Sequence, residues 1–230
     1  TKKSGKLTIK KRQVTLTSSD AKKEYDGTAL TKDEVQVTSG SFADKEGYTA
    51  TTSGSQTLVG KSENTFTYTL NEGTKAANYE IKTVKGTLEV TAVTDEHKHE
   101  AVVQAPSKSA TYEGKAKSAG TELTGKTFQW KGQTYTIEGL TSENVTKTDA
   151  GEYENKVNGT AKVLDAAGND VTAQFKVTKK SGKLTIKKRQ VTLTSEGGTK
   201  PYDGTALTKP DVKVSGDGFV EGEVSDIKAT

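Results

Sequence analysis

The sequence repeats itself over a distance that corresponds to whole domains. Residues 1–18 read TKKSGKLTIKKRQVTLTS, and residues 178–195 carry the same letters. The second copy therefore starts 178 − 1 = 177 residues after the first, and the octapeptide YDGTALTK recurs with the same offset at 25–32 and 202–209. Solenoid repeats have periods of roughly 20 to 50 residues. The much longer period predicts an array of complete domains.

A second, weaker repeat divides this period into two modules. Residues 78–91 read NYEIKTVKGTLEVT and residues 174–187 read QFKVTKKSGKLTIK, so both contain an aromatic residue, a glycine and then alternating apolar residues. Upstream, KEYDG at 23–27 corresponds to ATYEG at 110–114. Each module is therefore predicted to open near Tyr-Asp/Glu-Gly and to close on a hairpin through the later glycine.

The two repeats together place the module boundaries. Residues 1–10 are predicted to be the last strand of a preceding module, module A to span 11–92, and module B to span 93–187. Residues 188–230 are predicted to be an incomplete second copy of module A. Because a partial sandwich leaves its apolar face without a partner sheet, we expect this last segment to be marginally stable.

The pattern of apolar residues predicts strands along the whole chain. Apolar and polar residues alternate with period two, as at Val14/Leu16 and Leu88/Val90, and threonine fills many of the intervening positions. β-branched threonine suits the exposed face of a pleated sheet. Short strands separated by turns every roughly 8 to 12 residues are typical of a β-sandwich. The predicted fold is all-β, with tandem immunoglobulin-like antiparallel β-sandwich modules arranged as a rod.

Composition excludes several classes of site. There is no cysteine, which excludes disulfides, thiolate metal sites and catalytic cysteines. No apolar run approaches the roughly 20 residues that a membrane-spanning helix needs, so no membrane insertion is predicted. The net charge is +4, and the lysine-rich run at 1–12 alternates with apolar residues as the wet face of a strand does. No nucleic-acid partner is therefore predicted.

The motifs of module A resemble bacterial immunoglobulin-like tandem repeats of Gram-positive cell-surface adhesins. The residues that carry the resemblance are Asn78, Tyr79, Ile81, Gly86, Leu88 and Val90. Module B keeps the spacing but has Gln174 and Phe175 in place of the asparagine and tyrosine. The resemblance implies a secreted, extracellular protein of the cell surface, with signal and anchor outside this sequence. Such repeats usually form rods, and some proteins of this kind bind immunoglobulins in a superantigen-like way.

Two histidines near the junction of the modules are weak candidates for a metal site. His97 and His99 lie in the segment DEHKHE at 95–100. Residues two apart on a strand share one face, so the two imidazoles and nearby carboxylates could hold Zn²⁺. The alternative is a solvated linker, which we favour because two histidines do not complete a structural site. No metal and no other cofactor is therefore predicted.

The segment around the single tryptophan is the candidate ligand-binding surface. Trp130, Lys131 and Tyr135 lie in FQWKGQTY at 128–135, which predicts a hairpin with aromatic residues on both sides of its tip. Exposed aromatic residues anchor protein interfaces. The alternative is a tryptophan in the core of a sandwich. Tyr25, Tyr112 and Tyr202 recur at equivalent positions, which indicates a packing role.

Catalytic groups are not recognisable in the sequence. There is no Gly-x-Ser-x-Gly motif, and both histidines fall in a predicted linker. The acidic segment 165–170 lacks the spacing of a calcium loop and predicts a hairpin turn. A Lys–Asn isopeptide cross-link, for example at Asn155, is a further hypothesis from the resemblance, although no lysine can be paired with it.

Two functions remain open for a non-enzymatic, monomeric repeat array. In the first, the array binds a host extracellular protein, with immunoglobulin the leading candidate, or a host glycan. In the second, it is a structural stalk that holds a distal adhesin domain away from the cell wall. An exposed Trp130 hairpin would favour binding, whereas faces covered by threonine and lysine would favour the stalk.

Overall fold

The protein is all-β, as the alternating pattern predicts. The structure is a computed structural model that describes residues 3–229; Thr1, Lys2 and Thr230, which belong to the predicted ranges 1–10 and 188–230, lie outside the described residues. Strands make up 49% and helix 3%. The helical residues form short 3-10 turns at Ala76–Asn78 and Thr172–Gln174. No helix within residues 3–229 is both long enough and apolar enough to cross a membrane.

The strands are short and follow one another closely along the described residues. In chain order they are β1 Arg12–Ser18, β2 Ala21–Glu24, β3 Val35–Gly40, β4 Tyr48–Thr52, β5 Gly60–Asn64, β6 Phe66–Leu70, β7 Tyr79–Val84, β8 Gly86–Thr91, β9 His99–Gln104, β10 Lys108–Thr111, β11 Lys117–Ser118, β12 Thr127–Trp130, β13 Gln133–Ser142, β14 Thr146–Lys147, β15 Gly151–Asn155, β16 Val157–Leu164, β17 Phe175–Lys180, β18 Gly182–Lys187, β19 Val191–Ser195 and β20 Val212–Gly216.

The sheets are small and mixed. Their strand orders are β3-β1-β7, β2-β8-β5, β4-β6, β10-β18-β15, β11-β14, β12-β13-β16, β17-β9 and β19-β20. The pairings of β1 with β7, β2 with β8, and β10 with β18 are parallel. The prediction of purely antiparallel sheets is therefore wrong for these pairs.

Parallel pairing follows from the way the chain crosses between sheets. Lys85 alone separates β7 from β8, and the two strands belong to different sheets. One residue is too few for a hairpin turn, so the predicted closing hairpin is wrong. Gly86 lies at the crossing, where a Cβ built on it would come 2.4 Å from the carbonyl oxygen of Ser18. A Cβ built on Gly182, the first residue of β18, would likewise come 2.1 Å from the carbonyl oxygen of Pro106.

The chain forms two compact units. Among the described residues, unit 1 comprises residues 3–99, Gln129–Thr136 and Val163–Lys176; unit 2 comprises Glu100–Phe128, Ile137–Lys162 and residues 177–229. One core cluster of unit 1 is built on Val14, Leu16 and Tyr79, with partly buried Phe42, Tyr48 and Phe66 against it. A core cluster of unit 2 is built on Ala119, Leu184 and Ile186. The boundaries 11–92 and 93–187, inferred from the repeats, stay a prediction.

The two copies of the verbatim repeat differ in which of their residues form strands and are buried. In the second copy, residues 182–187 form β18, and Leu184 is 0% exposed. The same letters at 5–10 form no strand, and Leu7 is 100% exposed. In the later part of the repeat, the first copy is the buried one. Leu16 in β1 is 0% exposed, and its counterpart Leu193 is 50% exposed. β1 is flanked by β3 and β7, whereas β19 pairs with β20 alone within residues 3–229. Contacts from other parts of the chain, and not the local sequence, therefore decide which copy is buried.

Candidate functional site

The histidine pair does not gather a metal-binding group. No cluster of three or more His, Asp or Glu side chains that could hold a metal occurs within residues 3–229. His97 is 65% exposed, and its Nδ1 lies 3.1 Å from Oε2 of Glu24. The backbone amide of Thr94 donates to Glu24 and, with His97, holds the pKa of that carboxyl below its usual value. His99 begins β9. The solvated linker therefore stays the interpretation that we favour for the two histidines, and a metal site there stays the alternative.

The acidic segment 165–170 is a turn that satisfies its own carboxylate. Asp165 accepts hydrogen bonds from the backbone amides of Ala167 and Asn169, at 2.9 and 2.8 Å, and from the side-chain amide of Asn169. Burial raises the pKa of the Asp165 carboxyl, but these hydrogen bonds outweigh it and lower the pKa overall. A carboxylate already engaged by its own loop is a structural element of the turn.

The Trp130 segment is a tight hairpin, as the sequence predicts. β12 and β13 are adjacent strands joined by Lys131 and Gly132, whose φ angles are 48° and 78°. Two central residues with positive φ make a type I′ turn, which matches the twist of the flanking strands. The turn exposes Lys131, whereas Trp130 is half-buried and Tyr135 is only 1% exposed. Most of the aromatic surface of the hairpin is therefore turned into unit 1.

Four side chains of unit 1 form an aromatic cluster, defined as Tyr25, Trp130, Tyr135 and Phe175. The ring of Tyr25 stacks on Trp130, with centroids 6.1 Å apart and planes inclined by 20°. Phe175 contacts Trp130 edge-on at 5.3 Å and Tyr135 at 4.7 Å. Offset and edge-on geometries are the favourable ones for aromatic pairs. The structure thus brings two predicted ligand-binding residues together with a tyrosine to which the sequence assigned packing.

A close approach between a loop and the hairpin completes this cluster. Gly27 has a φ of 78°, and a Cβ built on it would lie 2.2 Å from the hydroxyl oxygen of Tyr135. Only glycine fits there, both because φ is positive and because the hydroxyl occupies the space. Burial, together with the hydroxyl of Tyr135, raises the pKa of Tyr25 well above its ordinary value. Burial raises the pKa of Tyr135 as well.

One exposed feature of the hairpin remains available to a ligand. The Nζ of Lys131 lies 4.7 Å from the ring centroid of Trp130, which places a cation over the ring of the half-buried indole. Beside the cluster is a groove lined by Gly27, Leu58, Gln133, Asp165 and other residues, and Leu58 is 37% exposed. The ligand-binding role of Trp130, Lys131 and Tyr135 stays a prediction, and the burial of Tyr135 limits it to the first two.

Two buried asparagines hold the crossing points of the sheets, and sequence reasoning missed their structural role. Asn64 and Asn155, each 0% exposed, end β5 and β15. The Asn64 amide donates to the carbonyls of Ser19 and Lys32, and the Asn155 amide donates to the carbonyl of Pro106 and the Ser142 hydroxyl. The shared pattern Gly-x-x-Glu-Asn, at 60–64 and 151–155, is the signal that could have found them.

Comparison with known proteins adds no relative to this description. Neither the models of protein families, nor the curated protein sequences, nor the solved structures contain a significant match to this chain.

Proposed function

We propose that this chain is a non-enzymatic stalk segment of an extracellular Gram-positive surface protein, built as a rod of tandem immunoglobulin-like modules. One observation carries the proposal: the aromatic side chains that would anchor a ligand are used in internal packing. Tyr25 and Tyr135 are each 1% exposed, and Trp130 is half-buried between Tyr25 and Phe175. Interface anchors act through surface they can present to a partner.

The outer faces of the strands support the same proposal. These faces and the residues that join the strands carry lysine and glutamate in exposed ion pairs, such as Lys85 with Glu63 at 2.6 Å and Lys183 with Glu152 at 2.8 Å. Such pairs contribute about 0–1 kcal/mol each to stability, so their main effect is on the surface. Charged faces of mixed sign keep a repeated protein hydrated and disfavour sticking between copies.

Small-angle X-ray scattering on the full chain tests the stalk. A compact globule of this length has a radius of gyration of about 17 Å. A rod gives a clearly larger value, and a distance distribution with a long tail. A radius close to the compact value would refute the rod.

A second candidate function is binding of a host protein, with immunoglobulin first and host glycans next. The observation that favours it is the position of the exposed Lys131 over the ring of the half-buried Trp130, near the groove that contains Leu58. The test is capture of purified antibodies, serum proteins and mucus glycoproteins by the immobilised full chain. Lys131→Ala should abolish capture, whereas Lys147→Ala, which removes a lysine 5.5 Å from the ring of Tyr153, should not. Absence of capture with the wild-type chain would leave the stalk alone.

A further inference from the structure

The first Tyr-Asp-Gly loop is covered by a hairpin from later in the sequence. Within unit 1, Tyr25 stacks on Trp130 and is 1% exposed. Gly27 lies so close to the hydroxyl of Tyr135 that a Cβ would not fit between them. The loop therefore offers an aromatic ring and a side-chain-free backbone position, and the hairpin from β12 and β13 occupies both.

The Tyr-Glu-Gly loop of module B is also covered by later residues. Within unit 2, the Tyr112 hydroxyl donates to the carboxylate of Glu223, and Nη1 of Arg189 donates to the Tyr112 carbonyl at 3.3 Å. A Cβ built on Gly114 would lie 3.0 Å from Cγ1 of Val220. The covering residues are different and more polar, but the place on the loop is the same.

The third loop has the same shape and nothing over it among the described residues. Tyr202 is 98% exposed, and no described atom outside its chain neighbours lies within 4 Å of a Cβ built on Gly204. The φ of Gly204 is 79°, against 78° at Gly27. The loop is therefore already formed while its aromatic ring stands in solvent.

Corresponding hydrogen bonds to the loop aspartate hold the first and third loops in this shape. In the first loop, Asp26 accepts from Lys23 at 2.7 Å and from the backbone amide of Thr28 at 2.9 Å. In the third loop, Asp203 accepts from Lys200 at 2.9 Å and from the backbone amide of Thr205 at 3.0 Å. A loop fixed by its own side chains loses little conformational entropy when a partner binds.

We propose that the Tyr202-Asp203-Gly204 loop is a docking site for a further copy of residues 93–187, engaged by that copy's equivalent of the Trp130–Tyr135 hairpin. The proposal rests on the tandem arrangement of the proposed function and names the contact that joins one repeat to the next. The octapeptide at 202–209 is identical to that at 25–32, so the surface that this hairpin covers in unit 1 is offered again in unit 2. We propose a further copy of residues 93–187 as the occupant because its hairpin and the octapeptide at 202–209 would have the same sequences as the hairpin and the loop that pack together in unit 1.

The test compares three chains by hydroxyl-radical footprinting with mass spectrometry. The first is the 230-residue chain; the second continues it with residues 54–92, which completes module A; the third continues it with residues 54–187, which adds module B as well. Proteolytic peptides that contain Tyr25 and Tyr202 differ in sequence and are quantified separately. Because a buried ring reacts only after local opening, we expect the reactivity of Tyr202 to fall by about tenfold or more in the third chain alone.

Internal controls separate docking from other causes of protection. In the third chain, Trp130→Ala placed only in the appended copy should restore the reactivity of Tyr202 and leave Tyr25 protected. Gly204→Ala, which leaves the appended module unchanged, should restore it too. Protection that already appears in the second chain would assign burial to module A itself and overturn the proposal.

A Tyr202 that stays reactive in the third chain would also overturn it. This readout is independent of the scattering test, because a compact chain with a protected Tyr202 would refute the rod and retain the docking contact.

Discussion

Two leucines with identical neighbours provide a matched pair for measuring what tertiary contacts contribute. Leu184 and Leu7 both lie in the sequence TKKSGKLTIKKRQVTLTS, yet Leu184 is 0% exposed in β18 and Leu7 is 100% exposed outside any strand. We predict that Leu184→Ala strongly destabilises unit 2, whereas Leu7→Ala has no measurable effect. Since local sequence is the same, differences in intrinsic propensity and in the unfolded chain largely cancel between the two variants.

The expected magnitude follows from burial. Replacing a fully buried leucine by alanine costs about 2–5 kcal/mol, because apolar contact is lost and a cavity remains. A substitution at an exposed site away from special features changes stability by less than about 0.5 kcal/mol. For a domain of the size of unit 2, a loss of about 3 kcal/mol in the free energy of unfolding lowers the midpoint temperature of unfolding by roughly 10–20 °C.

Differential scanning calorimetry gives the midpoints, and hydrogen–deuterium exchange of the peptide that contains β18 assigns the change to unit 2. If Leu184→Ala shifts the midpoint no more than Leu7→Ala does, β18 is not the core strand described above. A large effect of Leu7→Ala would show instead that residues 5–10 are packed in solution.

Three further predictions concern the crossings and the aromatic cluster. Gly182→Ala, which forces a Cβ to 2.1 Å from a carbonyl oxygen, should lower the free energy of unfolding in urea by about 2 kcal/mol or more. Gly5→Ala, in the other copy of the same sequence, should leave it unchanged. Asn64→Ala should cost about 1–3 kcal/mol, because the carbonyls of Ser19 and Lys32 lose the donor that the fully buried Asn64 side chain supplies; an unchanged urea midpoint would contradict this. Folding raises the pKa of Tyr25. The contribution of the protonated Tyr25 side chain to the free energy of unfolding is therefore complete below pH 10 and is lost as the pH rises above that value, because the unfolded chain ionises first. Tyr25→Phe should therefore weaken the alkaline fall of the urea midpoint, and an unaltered fall would refute the assignment.

At the candidate site, the local sequence pattern predicted the hairpin but not the burial of its residues. The Lys131-Gly132 turn and its flanking alternation predicted the hairpin correctly, because turn geometry is encoded locally. The burial of Tyr135 depends on Tyr25 and Phe175, which lie 110 and 40 residues away (135 − 25 and 175 − 135), and no local pattern reports such contacts. The repeated Gly-x-x-Glu-Asn pattern was present in the sequence, but its meaning required the carbonyls that the asparagines bind.

The closing hairpin was wrong for a related reason. The alternation on both sides of Gly86 correctly predicted β7 and β8, but a glycine between two strands is compatible with a reversal and with a straight crossing. The carbonyl of Ser18, packed against Gly86, marks the crossing. That contact joins residues far apart in the chain, so only the folded arrangement reveals it.

The sequence by itself determined the all-β class and the positions of most strands, since side-chain alternation and turn chemistry act over a few residues, and it contains the verbatim repeat at an offset of 177 residues. The tertiary structure decided which strands pair, in which direction, and which copy of a repeated segment is buried. The physical reason is visible in the verbatim repeat: Leu184 is buried because β10 and β15 flank its strand, and Leu7, with the same neighbours in sequence, has no flanking strand among residues 3–229. A strand is stabilised by hydrogen bonds and apolar contacts that other parts of the chain must supply.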